Sequence, residues 1–121
     1  MATHNTKALR AYVTGIWELA NIRFFNSELP KPRFFFVKKL VGKAEAEFAG
    51  YWALCADGRH RITINLAYGD SDLRELIVHE MIHQLQAMQK SERTKREQHG
   101  RFFQRHHMRI FGRPYEGALV E

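Results

Sequence analysis

Apolar residues at Leu9, Val13, Ile16, Trp17, Ala20 and Phe24 recur with the period of an α-helix and form one stripe. Asn5 or Thr6 can cap it, so the spacing predicts a helix from there to about Asn26. Leu29-Pro30-Lys31-Pro32 then forbids helix, because each proline biases its predecessor toward extended backbone. The pattern changes to period two. Residues 33–40 are rich in Phe and Val, and 44–54 set Glu45 and Glu47 against Ala46 and Phe48. Asp57-Gly58 reads as a turn, and 61–66 alternate Ile62 and Ile64 with Thr63 and Asn65, which predicts a third strand with one wet face. A small three-stranded antiparallel sheet is expected.

Helical spacing returns at Leu73, Leu76, Ile77, Met81, Leu85 and Met88, with Asp70, Ser71 and Asp72 as cap candidates and negative charge at the start. Residues 90–98 are nearly all polar and predict a loop. A last helix is expected over 100–111 through Phe103, His107 and Ile110, and after Gly112-Arg113-Pro114 the tail should be irregular. The expectation is an α+β fold: an N-terminal helix, the sheet, and two further helices.

Composition narrows the class. The chain has 121 residues, 45% of them hydrophobic and 26% charged, which suits one soluble domain spanning 1–121. Its one cysteine, Cys55, can form neither a disulfide framework nor a Cys-based zinc ribbon. No apolar run approaches the roughly 20 residues of a membrane span, and Met1-Ala2-Thr3-His4-Asn5 does not open like a signal peptide. The cytoplasm is the expected compartment, on the nucleoid if the source is bacterial or viral, with no membrane partner. A formal charge of +6 and a pI near 9.8 favour a polyanionic partner.

The chemistry centres on His79-Glu80-Met81-Ile82-His83, an H-E-x-x-H sequence in the middle of the best-supported helix. Residues four apart on a helix share a face, so the two imidazoles can bind one ion while Glu80 stands beside them as a general base. A chance meeting of two histidines and a glutamate is the alternative, but the flanks Leu76, Ile77 and Leu85 bury this helix, and buried polar groups need compensation. Zinc is the expected metal, and a catalytic zinc needs a third protein ligand. His99, His106, His107, Glu92 and Glu97 are the candidates. The metzincin pattern is excluded, because Gln86 and Gln89 occupy its glycine and histidine positions. His99 is favoured: it precedes Gly100 and opens a helix after a loop long enough to fold back, although a capping or surface histidine would read the same. His106 and His107 fit surface or packing roles better.

His79-Glu80-Met81-Ile82-His83 followed by His99-Gly100-Arg101-Phe102-Phe103 resembles the H-E-x-x-H and H-G-x-x-F signature of SprT-like metalloprotease domains, the family of the Spartan DNA-protein crosslink proteases. Phe25-Asn26-Ser27-Glu28-Leu29-Pro30 is similar to the family's F-N-x-x-L-P segment, and Ile62-Thr63-Ile64-Asn65 to its I-x-I-N strand. The resemblance implies a zincin-like fold, Zn²⁺ on His79, His83 and His99, Glu80 as catalytic base, and peptide hydrolysis linked to DNA. Many relatives carry a Cys-rich zinc ribbon after this core. The chain ends at Glu121 with none, a minimal form in which DNA targeting is the weaker inheritance.

Basic residues nevertheless gather after the zinc motif, at Lys90, Arg93, Lys95, Arg96, Arg101, Arg105, Arg109 and Arg113. Arg101, Arg105, Arg109 and Arg113 recur every four positions, one stripe if the helix runs that far, and suited to phosphates. Tyr51, Trp52 or Phe102 could stack bases, and Tyr68 or Tyr115 could steady an oxyanion. The reading is a zinc endopeptidase acting on proteins bound or crosslinked to DNA, the DNA being single-stranded or distorted. A zinc peptidase without a DNA role and a DNA-binding module with a structural metal are its rivals. Glu80 speaks against the second, since a structural site has no use for such a carboxylate.

Overall fold

A computed structural model describes residues 6–37, 50–66, 73–89 and 99–116. Helix α1 spans Thr6–Phe24 and buries Val13, Trp17 and Ala20, as its stripe requires. It stops where Asn26 and Ser27 take positive φ values of 54° and 59°. The amide of Asn21 then holds the departing chain: Nδ2 donates to the Leu29 carbonyl and Oδ1 accepts from the Leu29 N–H, both at 3.2 Å. Leu29 is thereby seated in the core and the Phe25-to-Pro30 segment wraps the helix end.

The strands are β1 (Arg33–Val37), β2 (Gly50–Leu54) and β3 (His60–Asn65), in the order β1-β3-β2. β2 and β3 form the expected antiparallel hairpin, with Trp52 opposite Ile62. Its turn closes through the Cys55 N–H to the Arg59 carbonyl at 2.8 Å, with Gly58 at φ 84°. β1, however, pairs parallel to β3, Phe34 opposite Ile62 and Phe36 opposite Ile64, so the sheet is mixed and not purely antiparallel. The wet face predicted for β3 is also overturned: Thr63 and Asn65 are each 3% exposed. Both differences have one cause. The last strand in sequence lies between the other two, so its polar residues are enclosed along with Ile62 and Ile64.

Helix α2 spans Leu73–Gln89 and lies across the sheet. The approach is tight: a Cβ at Gly50 would stand 2.9 Å from the Thr63 carbonyl and 3.1 Å from Leu76. Glycine at the head of β2 therefore lets strand and helix meet. Helix α3 spans Arg101–Phe111 and ends at Gly112, whose φ of 77° and N–H bond to the Met108 carbonyl make a left-handed cap. One core joins Val13, Trp17, Phe25 and Leu29 to Phe34, Ile62 and Ile64 and to Ile77, Met81, Ile82, Leu85, Phe102 and Phe103. Burying each large side chain contributes about 1.5–3 kcal/mol. No helix among the described residues is long and apolar enough to cross a membrane.

Candidate metal centre

Helix α2 is oriented from behind. Gln84, fully buried, accepts from Trp17 Nε1 at 2.8 Å and donates from Nε2 to the Pro30 carbonyl at 3.0 Å. These bonds lock the rotation of α2 against α1 and the Leu29-Pro30 segment. His79 and His83, one turn apart, then share a face, and His99 reaches them from just before α3.

The three rings converge. Their centroids stand 5.0 Å (79 to 83), 5.1 Å (79 to 99) and 5.1 Å (83 to 99) apart. Nε2 of His79 and Nε2 of His99 face each other at 3.3 Å, and one nitrogen from each ring lies within 4.8 Å of the others. Two imidazole nitrogens held tetrahedrally at about 2.0–2.1 Å from one ion stand roughly 3.3–3.4 Å apart, so the observed spacing fits a shared cation. His83 is further fixed by Nδ1–H donating to Gln86 Oε1 at 2.6 Å, which leaves Nε2 to the ligand position.

Phe103, with no exposed surface, lies 4.7, 4.8 and 4.7 Å from the centroids of His79, His83 and His99. Equidistance puts it on the axis of the triad, and its place in the core makes that the inner side. Tyr115, partly exposed, lies at the flank of the cluster with its ring 4.7 Å from those of His79 and His99. Glu80 follows His79 in sequence and is 0% exposed. Among the described residues no fourth His, Cys, Asp or Glu joins the three.

His106 and His107 stay outside the cluster. His107 is buried and donates from Nδ1 to the Arg113 carbonyl at 2.7 Å; His106 accepts from Arg109 Nε at 2.9 Å. Burial, with the charges of Arg109 and Arg105 added, lowers His106 to a pKa of about 4. Glu92 and Glu97, with Tyr68, Lys90, Arg93, Lys95 and Arg96, lie outside the described residues, as does the side chain of Tyr51. Arg101, Arg105 and Arg109 do share the exposed face of α3. Arg105 lies over the Phe102 ring and Arg109 over that of Phe25. Arg113 does not extend the row. It comes after the Gly112 cap and donates to Glu75 at 2.7 Å. Phe102 is buried at 8% exposure and offers no free stacking face, whereas Trp52 is half-buried and donates its indole N–H to His60.

Two contributors were invisible in the sequence. Gln84 and Gln86 look like ordinary polar helix positions, and Gln86 served there only to exclude another pattern. The readable signal was spacing, since Gln86 lies three residues after His83 on the same face.

The SprT-like family model matches residues 14–117, from within α1 to beyond Tyr115. Neither a curated protein nor a solved structure matches the chain. The matched span contains all three converging histidines, Glu80, and the Phe25-to-Pro30 and Ile62-to-Asn65 segments. The chain belongs to the SprT-like family.

Proposed function

We propose that this protein is a zinc-dependent endopeptidase that cleaves proteins held on DNA. One observation carries the hydrolytic part: three imidazoles converge, the fully buried Glu80 follows the first of them on α2, and no fourth ligand joins them among the described residues. A structural zinc site is closed by four protein ligands, whereas three leave a position for reacting groups. Zinc bound by His79, His83 and His99 supplies Lewis-acid chemistry for a carbonyl and a water. Glu80 accepts a proton from the attacking water as its oxygen bonds to the scissile carbonyl carbon. It returns that proton to the leaving nitrogen as the C–N bond breaks. Phe103 and the core beneath keep water from the inner side of the ligands.

The DNA part is supported by charge and placement. A chain of net charge +6 carries Arg101, Arg105 and Arg109 on the outer face of α3, while the inner face of that helix packs on the triad. A helix is about 10–12 Å across with its side chains, so a backbone held by those arginines lies within reach of the cleft. Substrates would then be selected by proximity.

The test is metal analysis combined with proteolysis of a DNA-bound protein, with and without its DNA. One zinc per chain, lost in His99→Ala, and cleavage that depends on DNA are expected. Cleavage indifferent to DNA would remove the DNA part. Full zinc occupancy with no proteolysis on any substrate would favour a binding module.

A further inference from the structure

Tyr115 follows the end of α3 by four residues, in a segment without regular structure, yet four separate interactions fix its place. The Gly112 cap turns the chain back. His107 Nδ1 then holds the Arg113 carbonyl at 2.7 Å, and the Arg113 guanidinium reaches Glu75 on α2 at 2.7 Å. Gln104 completes the strap with one amide group: Oε1 accepts from the Tyr115 N–H at 2.8 Å, and Nε2 donates to the Tyr115 carbonyl at 3.1 Å. The same Nε2 is 3.2 Å from the His99 carbonyl. Gln104 thus ties the backbone of a metal-ligand candidate to the backbone of the tyrosine. Irregular chain held this firmly has a defined direction, and here it presses the phenol ring against His79 and His99.

Packing alone would need only the ring. Phenylalanine meets it at Phe103, which fills the inner side of the triad, whereas at the partly exposed flank the side chain carries a hydroxyl. A phenol hydroxyl is a hydrogen-bond donor. Donors fixed in advance beside a reacting carbonyl stabilise the charge that develops on its oxygen without reorganising.

We infer that Tyr115 is a catalytic residue, donating its phenolic hydrogen bond to the oxyanion that forms on the scissile carbonyl, and that Gln104 is the residue that positions it. This rests on the peptidase reading above. No bond of Tyr115 is made or broken, and its proton stays on the phenol.

The experiment uses the zinc-loaded protein, a peptide it cleaves, and a phosphinic analogue of that peptide whose tetrahedral centre copies the oxyanion. In Tyr115→Phe, zinc affinity, melting temperature and KM should stay at parental values. The turnover number and the calorimetric affinity for the analogue should both fall by about ten- to a hundredfold, because the lost bond exists only in the tetrahedral state. Gln104→Met should lower analogue affinity in the same direction, and adding it to Tyr115→Phe should cost little more, since both act through one hydroxyl. Unchanged analogue affinity in Tyr115→Phe overturns the assignment and leaves the peptidase reading standing. Failure of the parent to cleave any peptide or bind the analogue overturns both.

Discussion

Helix α2 buries ten consecutive residues, and half of them are polar: His79, Glu80, His83, Gln84 and Gln86. Helix α3 buries only Phe102, Phe103 and His107, and keeps Arg101, Arg105 and Arg109 in solvent. The two helices meet at one site but treat polarity in opposite ways. On α2 a polar group is enclosed and given a specific partner, as Gln84 is by Trp17 and Pro30, and its geometry is set before any ligand arrives. On α3 charge is left solvated and adjustable, which suits a partner recognised by its field and not by its shape.

The comparison can be broken at several points. Glu80→Gln changes proton affinity at constant volume, so the fold and metal content should persist while turnover falls at least about a hundredfold. Near-normal turnover in a zinc-loaded variant would show that burial of this carboxylate has no catalytic meaning. Gln86→Ala frees the His83 ring, and metal affinity measured by competition with a chelator should drop about ten- to a hundredfold. Gln84→Ala strands the Trp17 indole N–H and should cost about 1–3 kcal/mol in denaturant unfolding, with weakened metal binding as a secondary effect.

On the solvated side the effects on stability should be small. Changing Arg101, Arg105 and Arg109 together to Glu should lower the salt slope of DNA binding by about three, one for each phosphate contact, and leave hydrolysis of a short free peptide near the parental rate. Within the trio Arg105→Glu and Arg109→Glu should each cost more stability than Arg101→Glu, roughly 0.5–1 kcal/mol, because their guanidinium groups lie over Phe102 and Phe25. Equal costs at Arg101 and Arg109 would mean that this stacking contributes nothing. Smallest is a proton effect at His106. Its folded pKa of about 4 lies below the unfolded value of 6.5, so the group favours folding above pH 6.5 and loses that contribution as pH falls toward 4. A titration of the His106 ring resonances checks the value, and removing the charge of Arg109 should raise it.

The metal site was largely legible because its grammar is local. His79 and His83 are set by helical period and His99 is favoured by a His-Gly helix start, and the structure brings these three side chains together. The supporting residues were not legible, since Gln84, Gln86 and Gln104 become informative only once Trp17, Pro30, the His83 ring and Tyr115 are placed by tertiary packing. The sheet order failed for a related reason. Thr63 and Asn65 alternate with isoleucines as a solvated face would, and nothing local reveals that β1 pairs on the far side of β3. The four-residue arginine repeat continues past Gly112 to Arg113 in sequence, while the helix that would make it one stripe does not.

His79 on α2 and His99 in the turn before α3 are twenty positions apart in the chain, yet their nitrogens stand 3.3 Å from each other. An ion shared by them is a cross-link that the unfolded chain lacks, and mass action applies to it. At a free metal concentration a hundred times the dissociation constant, the folded state gains about 2.7 kcal/mol. The melting temperature of this protein should therefore depend on metal supply, and a cell short of that metal would hold less of it folded.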